Sequence, residues 1–191
     1  MGYGINNTYI INEKNNLNYG LSYSDTSYVQ NETFDTAADN NNKVYSSFIR
    51  YNYNLTKKNQ LGTKLIWGRT ESKKEFDSYD SKGINFTFSQ ILPFGTLKLR
   101  GTYLENDYDE VESFVSSTIV RKDESLVATI SLEGQVIKLL PFLKRLKIDD
   151  SLLYTLNARL SDVSSNITNH DVRRKYKTIG LTKRINLNGL L

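Results

Sequence analysis

The feature that most constrains this chain is a period of two in its hydrophobicity. Apolar and aromatic residues alternate with polar ones along most of the sequence; Ile84, Phe86 and Phe88, for example, are separated by Asn85 and Thr87. Successive side chains of a β-strand point to opposite faces of the sheet, so each such segment would have one apolar and one polar face. The frequent Tyr, Asn, Ser and Thr residues also favour strands and turns over helices. We therefore expect an all-β protein.

Nine segments carry this alternation, and the connections between them form a second pattern. The predicted strands cover residues 3–12, 15–25, 43–55, 60–72, 82–92, 95–106, 114–134, 146–162 and 173–187. Short turns are expected at 13–14, 56–59 and 93–95, and long polar loops at about 26–42, 73–81, 107–113 and 163–172. Short and long connections alternate if residues 135–145 count as the fourth short one. Consecutive strands are then antiparallel, with the tight turns at one end and the long loops at the other.

The segment 135–146 is the one place where a helix competes with this pattern. Its apolar residues could line one face of a helix: Val136, Ile137, Leu139, Leu140 and Leu143. Pro141 would break such a helix, because proline lacks the backbone N–H and its ring clashes with the preceding turn. We therefore favour a turn with apolar anchors.

The alternation fits a transmembrane β-barrel, in which one face of each strand meets lipid and the other faces a wet lumen. Most of the predicted strands are long enough, since a tilted strand needs about 9–11 residues to cross a bilayer. A soluble sandwich or a lipocalin-like barrel shows the same alternation but turns its apolar face inward, and it is the alternative fold.

Charged and aromatic side chains favour the membrane interpretation. The polar face would carry basic residues, which suits a water-filled lumen: Lys64, Lys98, Arg100, Arg159 and Arg184. Aromatic residues gather toward strand ends, as in the interfacial girdles of membrane barrels: Tyr23, Trp67, Tyr103 and Tyr108, with Phe94 in a turn. Lys183 falls on an otherwise apolar face, where its stem could reach an interface. The predicted fold is an antiparallel transmembrane β-barrel, or the C-terminal portion of one, with about 9–10 strands.

Residues 1–191 are expected to form one outer-membrane β-barrel domain that lacks an N-terminal part. Nine is an odd number, whereas bacterial single-chain barrels use an even number of strands. The segment 1–9 has neither the basic nor the apolar region of a signal peptide. A sheet edge left open in hydrocarbon would leave backbone groups unsatisfied, at a cost of roughly several kcal/mol each. We therefore expect further strands to complete the barrel.

Composition and spacing give no support for a catalytic or metal site. The chain has no Cys and one His, His170, which excludes thiolate and His-rich metal sites. His170 follows Asp162, Ser164 and Ser165, but no Gly-x-Ser-x-Gly elbow frames either serine. Acidic residues fall in predicted long loops without the spacing of an EF-hand: Asp77, Asp80, Asp107, Asp109, Glu110 and Glu112. We expect no enzyme activity, no cofactor and no metal.

The charge pattern bears on the partners. The net charge is +4 and the charges are mixed along the chain. A nucleic-acid-binding protein would concentrate its positive charge in one patch or stripe, so no nucleic-acid partner is expected. The candidate site residues are the lumen-facing basic residues Lys98, Arg100 and Arg159. They could attract anions or acidic client segments, or they could solvate the interior and pair with Glu133 and other acids.

Short motifs in the last part of the chain resemble a known family. They are Arg121-Lys122-Asp123, Ser165-Asn166-Ile167, Asp171-Val172-Arg173 and Gly180-Leu181-Thr182-Lys183-Arg184-Ile185. Their order is similar to that in the C-terminal β-barrel of the surface lipoprotein assembly modifier family, whose members show an R-x-D strand, an S-N loop element, a basic residue and a G-L-x-x-x-aromatic end. The resemblance is clearest over residues 115–185. The end departs from the pattern, because Ile185 replaces the aromatic residue and residues 186–191 extend beyond it.

The resemblance implies a function that the residue pattern alone does not. Members of this family are Gram-negative outer-membrane proteins that help move lipoproteins to the cell surface, and a periplasmic helical-repeat domain usually precedes the barrel. By that likeness the chain would be a noncatalytic protein of the bacterial cell outer membrane, with outer-membrane lipid and client lipoproteins as partners. Two other functions stay open: a passive, porin-like pore and a soluble β ligand-binding protein.

Overall fold

The computed structural model describes residues 1–28, 40–113, 115–116, 118–146 and 151–183, which form nine strands in one antiparallel sheet. The spatial order of the strands follows the chain order, so every strand pairs with its sequence neighbours. The strands are β1 (Gly2–Asn12), β2 (Asn15–Thr26), β3 (Asn42–Thr56), β4 (Asn59–Ser72), β5 (Tyr79–Leu92), β6 (Gly95–Tyr108), β7 (Lys122–Gln135), β8 (Leu152–Ser165) and β9 (Val172–Lys183). The all-β prediction and the antiparallel order are confirmed.

The connections alternate in length as the sequence indicates. Two-residue turns at 13–14, 57–58 and 93–94 lie at one end of the sheet, which we call the turn end. The connections that follow Thr26, Ser72, Tyr108 and Ser165 are longer, and these four strands end at the opposite end of the sheet, which we call the loop end. The described parts of two of these connections contain short 3-10 helices, Glu75–Asp77 and Thr168–His170. The fourth connection at the turn end joins β7 to β8.

This fourth connection corrects one expectation. A turn was favoured for residues 135–146, but the segment forms one turn of helix, α1 (Val136–Leu139), followed by a 3-10 helix over Pro141–Leu146. Proline stops the α-helix as expected and then begins the second, tighter helix, because it needs no backbone N–H at a helix start. None of the helices in the described residues is long and apolar enough to cross a membrane.

The bounds of several strands also differ from the prediction. The seventh strand begins at Lys122 instead of residue 114, and the eighth covers Leu152–Ser165 instead of 146–162. Lys122 pairs with Asp107, and the carbonyl oxygen of Arg121 accepts one more hydrogen bond, of 3.1 Å, from the backbone N–H of Tyr108, at which β6 ends. Alternation alone does not reveal where the partner strand ends. The predicted end of the ninth strand, residues 184–187, and the C-terminal residues 186–191 fall outside the described residues.

The two faces of the sheet have opposite character. A representative row across the apolar face consists of Tyr19, Ile49, Leu65, Ile84, Tyr103 and Leu126. The neighbouring row across the polar face consists of Asn18, Arg50, Lys64, Asn85, Thr102, Val127, Ser161 and Arg174. Direct pairing places each of these residues beside the next, so the alternation predicted for single strands continues across the sheet.

The polar face is the more shielded of the two. Phe86 on the apolar face is 54% exposed, whereas its neighbour Asn85 on the polar face is 5% exposed. Along β7 the even-numbered residues are mostly exposed and the odd-numbered ones mostly half-buried or buried. Among the described residues, the buried hydrophobic side chains are only Val136, Tyr154 and Ile167. A soluble sheet would show the reverse, with its apolar face shielded.

Two glycines show the same asymmetry. A Cβ atom on Gly83, which points to the polar face, would collide with the carbonyl oxygen of Tyr103 and lie 2.6 Å from Cδ2 of Leu104. A Cβ atom on Gly101, which points to the apolar face, would meet nothing within 4 Å. At these two positions the polar face is thus crowded and the apolar face open, as expected where a sheet curls toward its polar side.

Two side-chain placements refine the sequence analysis. Tyr108 lies on the polar face and contacts Tyr79, at 5.0 Å between ring centroids, so it does not belong with the outward aromatic residues. Tyr23 does lie on the apolar face, 5.1 Å from the ring of Tyr45.

On β9, two lysines interrupt the apolar face near mid-strand. They are Lys175 and Lys177, which pair with Leu160 and Ala158.

Candidate site on the polar face of the sheet

Basic residues outnumber acidic ones on the polar face. In the described strands this face carries the basic residues Arg50, Lys64, Lys98, Arg100, Arg159 and Arg174 and the carboxylates Asp123 and Glu133. Lys98, Arg100 and Arg159 therefore lie on the face that the sequence analysis assigned to them. Arg184 lies outside the described residues.

Both carboxylates already have a cationic partner. Lys98 forms an ion pair with Glu133 across the β6–β7 pairing. Asp123 accepts hydrogen bonds from Arg121, at 2.9 Å from Nε and 2.5 Å from Nη2. Of the two roles predicted for the three candidate residues, Lys98 therefore has the second, which is pairing with an acidic residue. It differs in this respect from Arg100 and Arg159.

Arg100 and Arg159 lie in one row of the polar face with Thr129 between them. Neighbouring strands are spaced by about 4.8 Å, so the two backbones are roughly 10 Å apart. No carboxylate of the described residues forms an ion pair with Arg50, Lys64, Arg100, Arg159 or Arg174. Five cations of this face are therefore left without a described counter-charge.

Arg50 and Lys64 form the other end of this group. They are direct cross-strand partners of β3 and β4, an arrangement of like charges that costs free energy in a sheet. Lys64 Nζ lies 4.1 Å from the centre of the Phe48 ring, which offsets part of that cost. Arg50 Nε is shielded from solvent and has no hydrogen-bond partner among the described residues.

A shallow pocket of about 440 Å³ opens on the polar face between β8 and β9. Its lining is Asn157, Arg159, Ser161, Arg174, Tyr176 and Thr178. Two guanidinium groups, three hydroxyl groups and one amide can all bond an anion. The sequence analysis missed Arg174, which lies in the basic run 173–175. Arg174 is separated by an even number of positions from the polar Thr178 and Thr182. This spacing could have assigned Arg174 to the polar face of the strand.

Two motifs of the C-terminal part, R-x-D and S-N, meet at the loop end. Arg121 lies over the Tyr108 ring, 4.5 Å from its centre, while its partner Asp123 is 4% exposed. Asn166 Oδ1 accepts a hydrogen bond from the backbone N–H of Lys122 at 2.8 Å, and its Nδ2 donates to the Val120 carbonyl oxygen at 2.9 Å. The R-x-D and S-N elements therefore join the start of β7 to the end of β8.

Ion pairs line the loop end of the apolar face. Arg69 forms a bidentate contact with Asp109, in which Nη1 lies 2.7 Å from Oδ1. The hydrogen bond from Arg69 holds the pKa of the Asp109 carboxyl below its ordinary value, and partial desolvation opposes this only in part. Lys82 with Glu105, at 2.8 Å, is a further pair of this kind. The exposed apolar rows thus end in a band of charge.

The other candidate groups do not assemble into a site. Asp80 and Asp107 lie in β5 and β6, so their assignment to loops is wrong; the strands extend further because these two residues pair with each other in register. His170 Nε2 lies 3.1 Å from Glu112 Oε2, and no hydrogen bond joins it to Ser164 or Ser165 in the described part of the chain. Within that part, no group of three acidic or His residues could hold a metal ion.

One comparison with known proteins gives a match. A family model described as surface lipoprotein assembly modifier matches residues 1–148. The match covers most of the chain and includes Arg121 and Asp123, but it ends before Ser165 and Asn166. The clearest resemblance was expected over residues 115–185, so the matched region lies further toward the N-terminus. No curated protein and no solved structure matches this chain.

Proposed function

Because the chain belongs to the surface lipoprotein assembly modifier family, we propose that it assists the translocation or surface display of lipoproteins in the bacterial outer membrane. The family match over residues 1–148 is the observation that carries this proposal. The protein would perform no chemical step. Its sheet would form part of a barrel wall, and further strands would pair with the two edge strands β1 and β9.

The polarity of the sheet supports the membrane part of this proposal. Large apolar side chains such as Leu65, Phe86 and Ile130 are exposed on one face, which suits contact with hydrocarbon. The shielded polar face suits a water-filled lumen. The loop end of the apolar face, with Arg69 and Lys82 in ion pairs, suits the headgroup region.

The single tryptophan of the chain provides a direct test of this placement. Trp67 lies on the apolar face and is 44% exposed. In lipid vesicles its fluorescence should be quenched by brominated acyl chains and protected from a water-soluble quencher. Efficient aqueous quenching without any effect of brominated lipid would contradict the placement and favour a soluble β protein.

The function itself is tested in cells that produce a surface lipoprotein. The measurement is the fraction of the lipoprotein that an added protease or antibody reaches, with and without this protein. A second outer-membrane barrel serves as the control for general membrane damage. Unchanged exposure on removal and on re-expression would overturn the proposed role.

A passive pore is the second candidate, and the unpaired cations of the polar face favour an anion-selective one. Reconstituted protein that conducts ions, in cells whose lipoprotein exposure does not depend on it, would support the pore. Because a protein that alters exposure can also conduct ions, both measurements are needed to separate the two functions.

A further inference from the structure

The five cations without a described counter-charge lie in two neighbouring rows of the polar face between β3 and β9, and form a cation track with gaps at β5 and β7. Arg174 and Arg159 lie on the neighbouring strands β9 and β8, Arg100 lies on β6, and Lys64 and Arg50 lie on β4 and β3. Like charges placed side by side in a sheet are unfavourable unless a counter-charge is nearby. A track of this kind therefore calls for a negatively charged ligand that extends across several strands.

The pocket between β8 and β9 is the best-defined part of this track. Arg159 pairs in register with Tyr176, and Arg174 pairs with Ser161, so guanidinium and hydroxyl groups alternate around it. The planar fork of a guanidinium group matches the two oxygens of a carboxylate. Both strands fix the positions of these groups, since each forms the regular ladder of an antiparallel pair.

One of two unpartnered polar atoms on this track indicates more than a simple anion. Asn157 Oδ1, in the pocket, is shielded from solvent and has no hydrogen-bond partner among the described residues. It is an acceptor, and an ionised carboxylate or phosphate has no proton to donate. A peptide N–H does. Arg50 Nε, at the other end of the track, is a shielded donor that a carboxylate or carbonyl oxygen can satisfy.

We propose that this cation track binds an acidic stretch of polypeptide in extended form, with the Arg159–Arg174 pocket as its principal carboxylate site. Alternate side chains of an extended peptide are about 7 Å apart, which is within the roughly 5–10 Å between cations on adjacent and next-adjacent strands. The inference deepens the proposed function, on which it rests for the identity of the peptide as part of a client lipoprotein.

The test measures peptide binding to the whole chain refolded in detergent micelles. The probe is a labelled peptide of alternating Glu and Ser, compared with the same peptide carrying Gln in place of Glu, and the readout is fluorescence anisotropy. The Glu peptide should bind at least about 10-fold more tightly, and the difference should shrink as salt screens the charges. Equal binding of the two peptides would overturn the proposal.

Matched variants locate the binding. The double variant Arg159→Gln with Arg174→Gln should weaken binding of the Glu peptide by about 10-fold or more, whereas Lys98→Gln should change it by less than about 2-fold, since Glu133 already neutralises that lysine. Arg159→Lys, which keeps the charge but not the fork, should give an intermediate loss. Arg159→Gln alone removes the same single charge as Lys98→Gln, and equal losses for these two single variants would show a response to net charge only and overturn the assigned site.

Two further arms distinguish the ligand and the function. Inorganic phosphate at the same total charge should displace the peptide poorly. Complete displacement would show that the site binds anions without recognising polypeptide, and would overturn the proposal. Retained β-structure in the circular dichroism of each variant confirms folding. If lipoprotein exposure depends on the protein but the peptide does not bind, this inference fails alone. If the peptide binds but exposure is unchanged, the proposed function fails alone.

Discussion

The hydroxyl group of Tyr154 donates a hydrogen bond of 2.9 Å to the backbone carbonyl oxygen of Phe94, which lies 60 residues earlier in the chain. The ring is buried although it belongs to the apolar face. Its hydroxyl sits above Gly134 and Gly95, where a Cβ atom would lie only 3.0 and 2.6 Å from it. One side chain of β8 thereby reaches across β7 to the turn that joins β5 and β6.

Loss of this contact should weaken the turn end of the sheet. We expect Tyr154→Phe to lower the free energy of unfolding by about 1 kcal/mol, since a shielded hydrogen bond is lost while the ring remains. Urea titration in micelles, followed by Trp67 fluorescence, measures the change. Tyr19→Phe is the control, because the Tyr19 hydroxyl has no hydrogen bond to a described residue. Equal effects of the two changes would argue against a stabilising role for the Phe94 contact.

The two faces of β7 offer a matched test of which side meets hydrocarbon. Ile130 points to the apolar face and Val127 to the polar face. In lipid vesicles we expect Ile130→Lys to cost about 2–4 kcal/mol of unfolding free energy if the residue lies near the bilayer centre, and Val127→Lys to cost clearly less. The measurement is the urea dependence of folding into vesicles. A greater cost for Val127→Lys would reverse the assignment of the faces.

Two glycines test the crowding of the polar face. Gly83→Ala should destabilise the protein by about 1–3 kcal/mol, because the new methyl group meets the Tyr103 carbonyl oxygen and the Leu104 side chain. Gly101→Ala adds the same methyl group to open space, and its effect should stay within about 1 kcal/mol. Thermal unfolding of both variants beside the wild type gives the comparison. Similar melting temperatures for the two variants would contradict the asymmetry.

The R-x-D element should be a stabilising pair and not only a surface feature. Arg121 and Asp123 are 19% and 4% exposed, so Asp123→Asn leaves a shielded guanidinium without its counter-charge. We expect a loss of about 3 kcal/mol in unfolding free energy. Asp109→Asn breaks a similar bidentate contact in a more exposed place and should cost less than about 1 kcal/mol. A smaller loss for the Asp123 variant than for the Asp109 variant would be the contrary result.

The Arg69–Asp109 contact should also respond to acid. The pKa of Asp109 is lowered in the folded protein by the hydrogen bond from Arg69, so its contribution to stability is present above the ordinary pKa of the carboxyl group. The contribution is lost as the pH falls through the folded-state pKa. The stability difference between wild type and Asp109→Asn should therefore be present at neutral pH and vanish in strong acid. A stability difference between wild type and Asp109→Asn that grows on acidification would contradict the lowered pKa of Asp109.

The sequence by itself determined the strands and their faces. Alternation is a local property, because the side chains of consecutive residues must point to opposite sides of an extended chain. Hence the positions of Ile84, Phe86 and Phe88 on one face, and of Arg100 and Arg159 on the other, follow from the order of residues alone. The alternation of short and long connections then determined that neighbouring strands are antiparallel.

Only the tertiary structure decided which residues of different strands become neighbours. The register of β6 and β7 places Lys98 next to Glu133, which neutralises it. The register of β8 and β9 places Arg159 beside Arg174 in the pocket between these strands. The same holds for the contact between Tyr154 and Phe94. Such pairings join residues that are far apart in the chain, and they depend on the length and path of each connection. No periodicity within a single strand encodes that information, because every register that keeps the faces aligned satisfies the same alternation.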